Sequence, residues 1–103
     1  MNNCVFTGFI TEDPVLEQTD SGVDFLIFQI VTYSYRKTKS TGEKVKIPTY
    51  LTFEAWDSGA KTIATLAKKN SKITVYASAR NPQESSDDVI FRVNEFDFGC
   101  VEV

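Results

Sequence analysis

Residues 23–36 constrain this chain more than any other feature. They form a fourteen-residue run rich in Val, Ile, Phe and Tyr, the residue types that fit a pleated, half-buried surface. Most strands stop at about five or six residues. Apolar side chains occupy both parities through Phe25-Leu26-Ile27-Phe28. A strand exposed on one side alternates, so this stretch is expected to be covered on both sides, as in a barrel that also makes a subunit contact.

The rest of the chain supplies partners for that run. Residues 3–10 read as a first strand in which Gly8 suggests a bulge or tight bend. Pro14 follows it, then a short extended piece at Val15 and Leu16, then the turn cluster Thr19-Asp20-Ser21-Gly22. After the long second strand, Lys39-Ser40-Thr41-Gly42 makes a hairpin turn. Residues 44–57 form a third strand, with Pro48 requiring an edge or a bulge.

Residues 58–70 are the one helical segment. Asp57 or Ser58 is placed to cap it, and Ile63, Ala64, Leu66 and Ala67 give it a narrow apolar stripe. Lys68 and Lys69 suit the negative end of its dipole, and Asn70 suits a left-handed position. Residues 72–80 form a fourth strand with Ile73 and Val75 inward. A polar loop over 81–88 leads to a fifth strand over 89–98. Three strands, a helix and two strands fit an all-β fold, a five-stranded OB-fold barrel with its helix between strands three and four. No repeat or linker divides residues 1–103, which read as a single domain.

Charge is segregated along the chain. The net charge is −3, yet residues 1–32 carry −5, residues 33–80 carry +7 and residues 81–103 carry −5. Such asymmetry points to an anionic partner. All four tyrosines and the single tryptophan lie in the basic middle. Cations for phosphates interleaved with amphipathic rings for bases are what a single-stranded nucleic acid requires. The plainer alternative is that Tyr and Trp are common in strands.

Other chemistry is excluded by what is missing. There is no histidine, hence no imidazole base, no Ser-His or Cys-His nucleophile and no His metal ligand. Cys4 and Cys100 are too few for a zinc site and are expected as free thiols. No apolar run approaches the roughly 18 residues of a membrane span, and the first residues lack a signal-peptide pattern. A non-enzymatic, cytoplasmic protein without cofactor or metal is expected.

Strand alternation assigns the faces. On the third strand Leu51, Phe53 and Ala55 share the core parity, and Lys46, Pro48, Tyr50, Thr52, Glu54 and Trp56 share the other. Tyr50 and Trp56 then lie about 20 Å apart on one side, with Glu54 an acidic intruder between them. Tyr33 and Tyr35 share a parity at the end of the second strand. With Arg36, Lys37, Lys39, Lys44 and Lys46 they make a basic hairpin arm, for which the alternative is a solvated tip that discourages aggregation. Arg80, at the end of the fourth strand, is expected to reach the same groove.

These residues resemble the bacterial and phage single-stranded DNA-binding proteins. Gly8 followed by Asp13-Pro14, the turn Thr19-Asp20-Ser21-Gly22, the core step Phe28-Gln29-Ile30, the hairpin tip Thr41-Gly42-Glu43, Thr49-Tyr50, and Leu66-Ala67-Lys68-Lys69-Asn70-Ser71 match the family's pattern in order and spacing. The resemblance implies an OB fold, a homo-oligomer (tetramer or dimer), and sequence-tolerant binding of single-stranded DNA in replication, recombination or repair. It places Tyr35, Tyr50 and Trp56 as stacking aromatics, with Tyr33 a rival for Tyr35. It implies a bacterial cell or a phage-infected host as the setting.

Three departures stand out. The loop over 81–88 carries Asp87 and Asp88 and no aromatic, Glu54 is acidic, and the sequence stops at Val101-Glu102-Val103 without the acidic, phenylalanine-ended tail that recruits partners. Tail-mediated protein partners are therefore not expected. The alternative function is an OB-fold protein-interaction module, a primosome or phage assembly component, using the same aromatics as interface anchors.

Overall fold

The computed structural model describes residues 1–99. Six strands and one helix follow in the order β1 (Cys4–Ile10), β2 (Glu17–Gln18), β3 (Asp24–Lys37), β4 (Lys44–Trp56), α1 (Asp57–Leu66), β5 (Lys72–Arg80) and β6 (Ile90–Phe98). The sheet runs β1-β5-β6-β4-β3-β2 and closes on itself through β1–β3 pairing. Five strands make the barrel, and β2 is a two-residue addition on the flank of β3. All neighbours are antiparallel except β4 and β6, which pair in parallel at Phe53↔Phe91 and Glu54↔Arg92. This is the expected OB-fold barrel.

Closure depends on Gly8. Strand β1 pairs with β5 from Cys4 to Phe9 and with β3 at Phe9↔Val31 and Ile10↔Ile30, so β3 joins it at Phe9, the residue after Gly8. A Cβ at Gly8 would collide with the Val31 carbonyl. The glycine marks a close backbone approach between strands rather than a bulge. The only register shift among the β1, β5 and β6 pairings lies between Tyr76 and Ala77.

The barrel interior is aliphatic and aromatic. Ile10, Leu26, Ile30, Phe53, Ile63, Ile73 and Val75 are fully buried. The Phe53 ring packs against Phe6, Phe28 and Phe91, with centroids 5.8, 5.4 and 5.5 Å away. These separations suit aromatic quadrupoles. Helix α1 places Ala60 and Ile63 in the same cluster and, with Ala67 just beyond it, helps seal one end of the barrel.

Several local expectations change. The helix ends at Leu66, short of Asn70, so Lys68 and Lys69 lie beyond it and its last turn holds no base. The chain instead turns through Lys68–Ser71, with Asn70 left-handed at φ 74° and its N–H on the Ile10 carbonyl. That bond ties the turn to β1, while the helix itself breaks at Ala67, whose backbone is extended at φ −89° and ψ 143°. Neither Asp57 nor Ser58 caps the start; Trp56 occupies the cap position with no side-chain bond, and Asp57 takes φ 57°. Leu66 is exposed and Ala60 takes its place in the core. The short extended piece lies at Glu17–Gln18, displaced from Val15 and Leu16 because only those residues pair with β3. Cys4 is a free thiol, half-buried; Cys100 lies outside the described residues.

Beyond the barrel, β3 and β4 continue as a two-stranded arm. Residues 32–37 and 44–49 pair only with each other among the described residues. Thr38 and Glu43 close the arm by an N–H to carbonyl bond of 3.0 Å, with Gly42 at φ 72°. The arm explains a radius of gyration of 15.7 Å, against about 13 Å for a compact chain of this size.

Gly8→Ala is expected to destabilise the protein by about 1–3 kcal/mol, the usual cost of forcing extra atoms into a packed site. A urea-denaturation midpoint unchanged from wild type would show that β1 and β3 need no such close approach.

Candidate nucleic-acid interface

The β3–β4 pairing is unbroken from Phe25↔Trp56 to Lys37↔Lys44. Opposed residues of an antiparallel pair share a face, so register alone assembles one surface. From β3 it carries Phe25, Ile27, Gln29, Val31, Tyr33, Tyr35 and Lys37. From β4 it carries Trp56, Glu54, Thr52, Tyr50, Pro48, Lys46 and Lys44. The reverse parity holds Leu26, Phe28, Ile30, Phe53 and Ala55 in the core.

The tyrosines are accessible. Tyr35 is 60% exposed, Tyr50 59% and Tyr33 39%. Two lysines lie over the arm rings, Lys46 Nζ 3.9 Å from the Tyr33 centroid and Lys44 Nζ 5.4 Å from that of Tyr35. A cation within about 6 Å of a ring is attracted to its π face. Each lysine braces a ring while its charge stays in the solvent-facing layer.

Trp56 is half-buried rather than fully open. Its ring stacks on Phe25, centroids 5.3 Å apart and planes inclined by 27°. Phe25 therefore supports the tryptophan, and sequence reading missed it. Its parity could be read, but which β4 residue it faces depended on a register that only the strand pairing fixes.

Arg36 departs from the group. It faces Val45 on the reverse side of the arm. Lys39 lies in the turn at the arm's tip. The structure thus brings Tyr33, Tyr35, Lys37, Lys44, Lys46, Tyr50 and Trp56 to one face, and puts Arg36 behind it.

Glu54 is not the repulsive intruder its position suggests. Its side chain is buried, with Arg80 Nε bonded to Oε1 and Arg80 Nη2 donating to Oε2 at 2.7 Å. Two parallel bonds match the guanidinium fork to the carboxylate. The hydrogen bond from Arg80 holds the Glu54 carboxyl below its ordinary value of 4.5, against the opposing effect of burial, with smaller help from Trp56 and Arg92. In return, Glu54 raises the Arg80 pKa. Arg80 therefore reaches the face as half of a neutral pair, its side chain 43% exposed. Arg92, opposite Glu54 on β6, has no ion-pair partner among the described residues. It adds a cation that the sequence analysis did not single out, because the acidic segment around it hid its place.

The Glu54 carboxylate binds its proton less readily in the folded state than in the unfolded one. Its contribution is fully present above pH 4.5 and is lost as pH falls through the lowered folded-state value. Arg80→Met is expected to raise the Glu54 titration point, to cost about 1–3 kcal/mol by stranding a buried carboxylate, and to weaken the loss of stability in acid. Carboxyl NMR titration and urea midpoints across pH 3–6 check this; unchanged Glu54 titration would refute the pairing.

The comparisons with known proteins agree with this architecture. The single-stranded DNA binding protein from Thermus aquaticus superposes with a TM-score of 0.79 at 20% identity, over 95% of this chain and 50% of that one. A deletion variant of that protein gives 0.78 at 19%. This chain thus spans about half the length of the Thermus aquaticus protein. A Plasmodium falciparum SSB, solved in complex with ssDNA, superposes at 0.73 and 17% identity, over 94% of this chain and 91% of that one. No curated protein matches the chain. At these identities the superpositions establish the fold. The single-strand binding protein family model matches residues 1–92, and the chain belongs to that family of non-enzymatic binders.

Proposed function

We propose that this protein binds single-stranded DNA without strong sequence preference, by stacking bases on Tyr50, Trp56 and the arm tyrosines Tyr33 and Tyr35 while lysines neutralise phosphates. Protection of exposed strands in replication, recombination or repair would follow. The observation that carries the reading is the shared face: exposed rings, and lysines in no ion pair among the described residues, lie together on a β3–β4 surface on which Glu54 is neutralised by Arg80. Stacking on an aromatic ring is worth about 1–3 kcal/mol per base and is indifferent to base identity.

The residues divide the work by place. Tyr50 and Trp56 sit on the barrel, where the core holds their strand fixed. Lys37, Lys44 and Lys46 sit on the arm's front with Tyr33 and Tyr35, and Lys39 sits at its tip. Arg36 serves from the reverse side, where it meets only a strand that wraps the arm. Arg80 contributes through the exposed part of a paired guanidinium.

Trp56 is the only tryptophan, so its fluorescence reports on the site. Poly-thymidine is expected to quench it at low salt, and duplex DNA much less. Tyr50→Ala is expected to weaken binding by about 1–3 kcal/mol while leaving quenching at saturation. Each phosphate contact releases counterions, so Lys37→Glu with Lys39→Glu is expected to flatten the dependence of affinity on salt. Absent quenching removes Trp56 as a platform, and an unchanged slope removes the arm.

The same reading includes a homo-oligomer, dimer or tetramer. Val5 (59%), Phe9 (40%) and Ile27 (45%) leave apolar surface exposed on the barrel, and β1 has one edge unpaired from Cys4 to Gly8. Unpaired edges invite strand addition. Light scattering is expected to give at least a dimer mass that shifts when a short oligonucleotide is added. An oligomer indifferent to DNA would instead favour a protein-interaction module.

A further inference from the structure

The Glu54–Arg80 pair spans more of the sheet than a contact between neighbouring strands does. Strand β6 lies between β4 and β5, so the two backbones stand about 10 Å apart at the usual strand spacing. Arg80 reaches Glu54 only by lying along the outer face. In register, Arg80 opposes Ile90, while Arg92 opposes Ser78 on one side and Glu54 on the other. The Arg80 side chain therefore crosses β6 between Ile90 and Arg92. Arginines from two strands are brought side by side, next to the strand that carries Tyr50 and Trp56.

The carboxylate decides how Arg80 stands. Its buried oxygens take the Nε–Nη2 edge of the guanidinium. That group is planar with its N–H directions fixed, so the Nη1 edge points away from Glu54. Nη1 donates to no protein group among the described residues, and the Arg80 side chain stays partly open to solvent. Arg92 is exposed and in no ion pair among the described residues. An unanchored arginine loses rotamer freedom when it takes a ligand. Glu54 has removed that freedom from Arg80 beforehand, and it cancels one of two like charges that would otherwise repel.

The neighbourhood suits a phosphate rather than a base. No ring stands among the outer residues around the two arginines: Ser78, Ile90 and Asn94. Asn94 Nδ2 is committed to Ser78 Oγ at 2.8 Å. Glu95 lies further along β6, opposite Tyr76, and bounds the cationic patch. Guanidinium edges match the paired oxygens of a phosphate.

We propose that Glu54 is a positioning residue, which holds Arg80 across β6 beside Arg92 so that the two arginines take one backbone phosphate of the bound strand. The proposal rests on the single-strand-binding reading and adds a path to it. A strand with bases on Tyr50 and Trp56 then sends its backbone over β6 toward β5 as well as along the arm. Charge alone gives the opposite expectation for Glu54, because a carboxylate on the face repels a polyanion and its removal should tighten binding.

Anisotropy of a labelled oligothymidylate tests this, on variants whose folding is checked by urea midpoint, at physiological ionic strength where charges are screened beyond about 8 Å. Glu54→Gln is expected to weaken binding about threefold to tenfold, although it makes the face more positive. Arg80→Lys keeps the charge but loses the second edge, and is expected to weaken binding by a similar factor. The double variant is expected to bind no worse than either single one, because both remove the same contact. Arg92→Gln, at an exposed position, is expected to weaken binding and to lower the slope of log affinity against log salt by about 0.7, the share of one phosphate on a single strand. Glu54→Gln binding as tightly as wild type or more tightly overturns the positioning role. So do an Arg80→Lys protein that binds like wild type and additive losses in the double variant. An unchanged salt slope for Arg92→Gln overturns the two-arginine site, even where the Glu54 and Arg80 variants fail to fold. Each of these results, obtained with a wild type that binds, leaves the general function standing; a wild type that binds no oligothymidylate removes both readings together.

Discussion

The unbroken antiparallel register between β3 and β4 determines most of what this protein presents to solvent. Thirteen opposed pairs decide which side chains enter the core and which form the outer face. Side chains alternate with a period of two, so a slip of one residue would exchange the faces. Phe53 and Leu26 would then be exposed, and Glu54 and Tyr50 would be buried. The apolar core forbids that exchange. The same hydrophobic force that closes the barrel thereby places Tyr33, Tyr35, Tyr50, Trp56 and the arm lysines together. Binding geometry is a by-product of core packing, held as firmly as the core itself.

The Glu54–Arg80 pair shows how that face tolerates a carboxylate. Left alone, a buried carboxylate beside Trp56 would oppose any polyanion and would be costly to desolvate. Arg80 removes the net charge and satisfies both carboxylate oxygens. The pair joins β4 to β5 across β6, and it lies opposite Arg92, which forms no ion pair among the described residues. The centre of the face is neutral to slightly positive, and the strong positive charge lies further out, on the arm. A strand approaching the face would meet charge first and rings second, in the order that diffusional steering favours.

Much of this was legible in the sequence because strand periodicity is simple. The parity of residues 44–57 places Leu51, Phe53 and Ala55 inward and Tyr50 outward, as the barrel has them. The strand of residues 72–80 falls at the same residues as β5. The losses come from contacts between distant segments. The helix breaks at Ala67, and the turn after it is anchored by the Asn70 N–H on the carbonyl of Ile10, a residue distant in sequence. Ile27 is exposed although its neighbours are core, because two-sided apolar character cannot say which side a partner covers. Gly8 is needed for an approach to Val31 that no local pattern reveals. Arg80 and Glu54 each read as separate charges until a fold brings them together, and Phe25 gained a role only from the residue opposite it.

The barrel and the arm differ in what they can contribute to binding. Trp56 and Tyr50 belong to a strand whose other face is core, so little conformational freedom remains to be lost when a base stacks there. The arm has no core beneath it; beyond the barrel its two strands pair only with each other, and isolated two-stranded ribbons are marginal in water. Ordering it around a ligand costs entropy, which offsets part of what Tyr33 and Tyr35 gain by stacking. Lysines over those rings reduce that cost by holding the side chains in place before a ligand arrives. The arm's larger contribution is then electrostatic, because long-range attraction needs no fixed geometry. Affinity at low salt should depend on the arm, and the part of affinity that survives high salt should depend on the barrel.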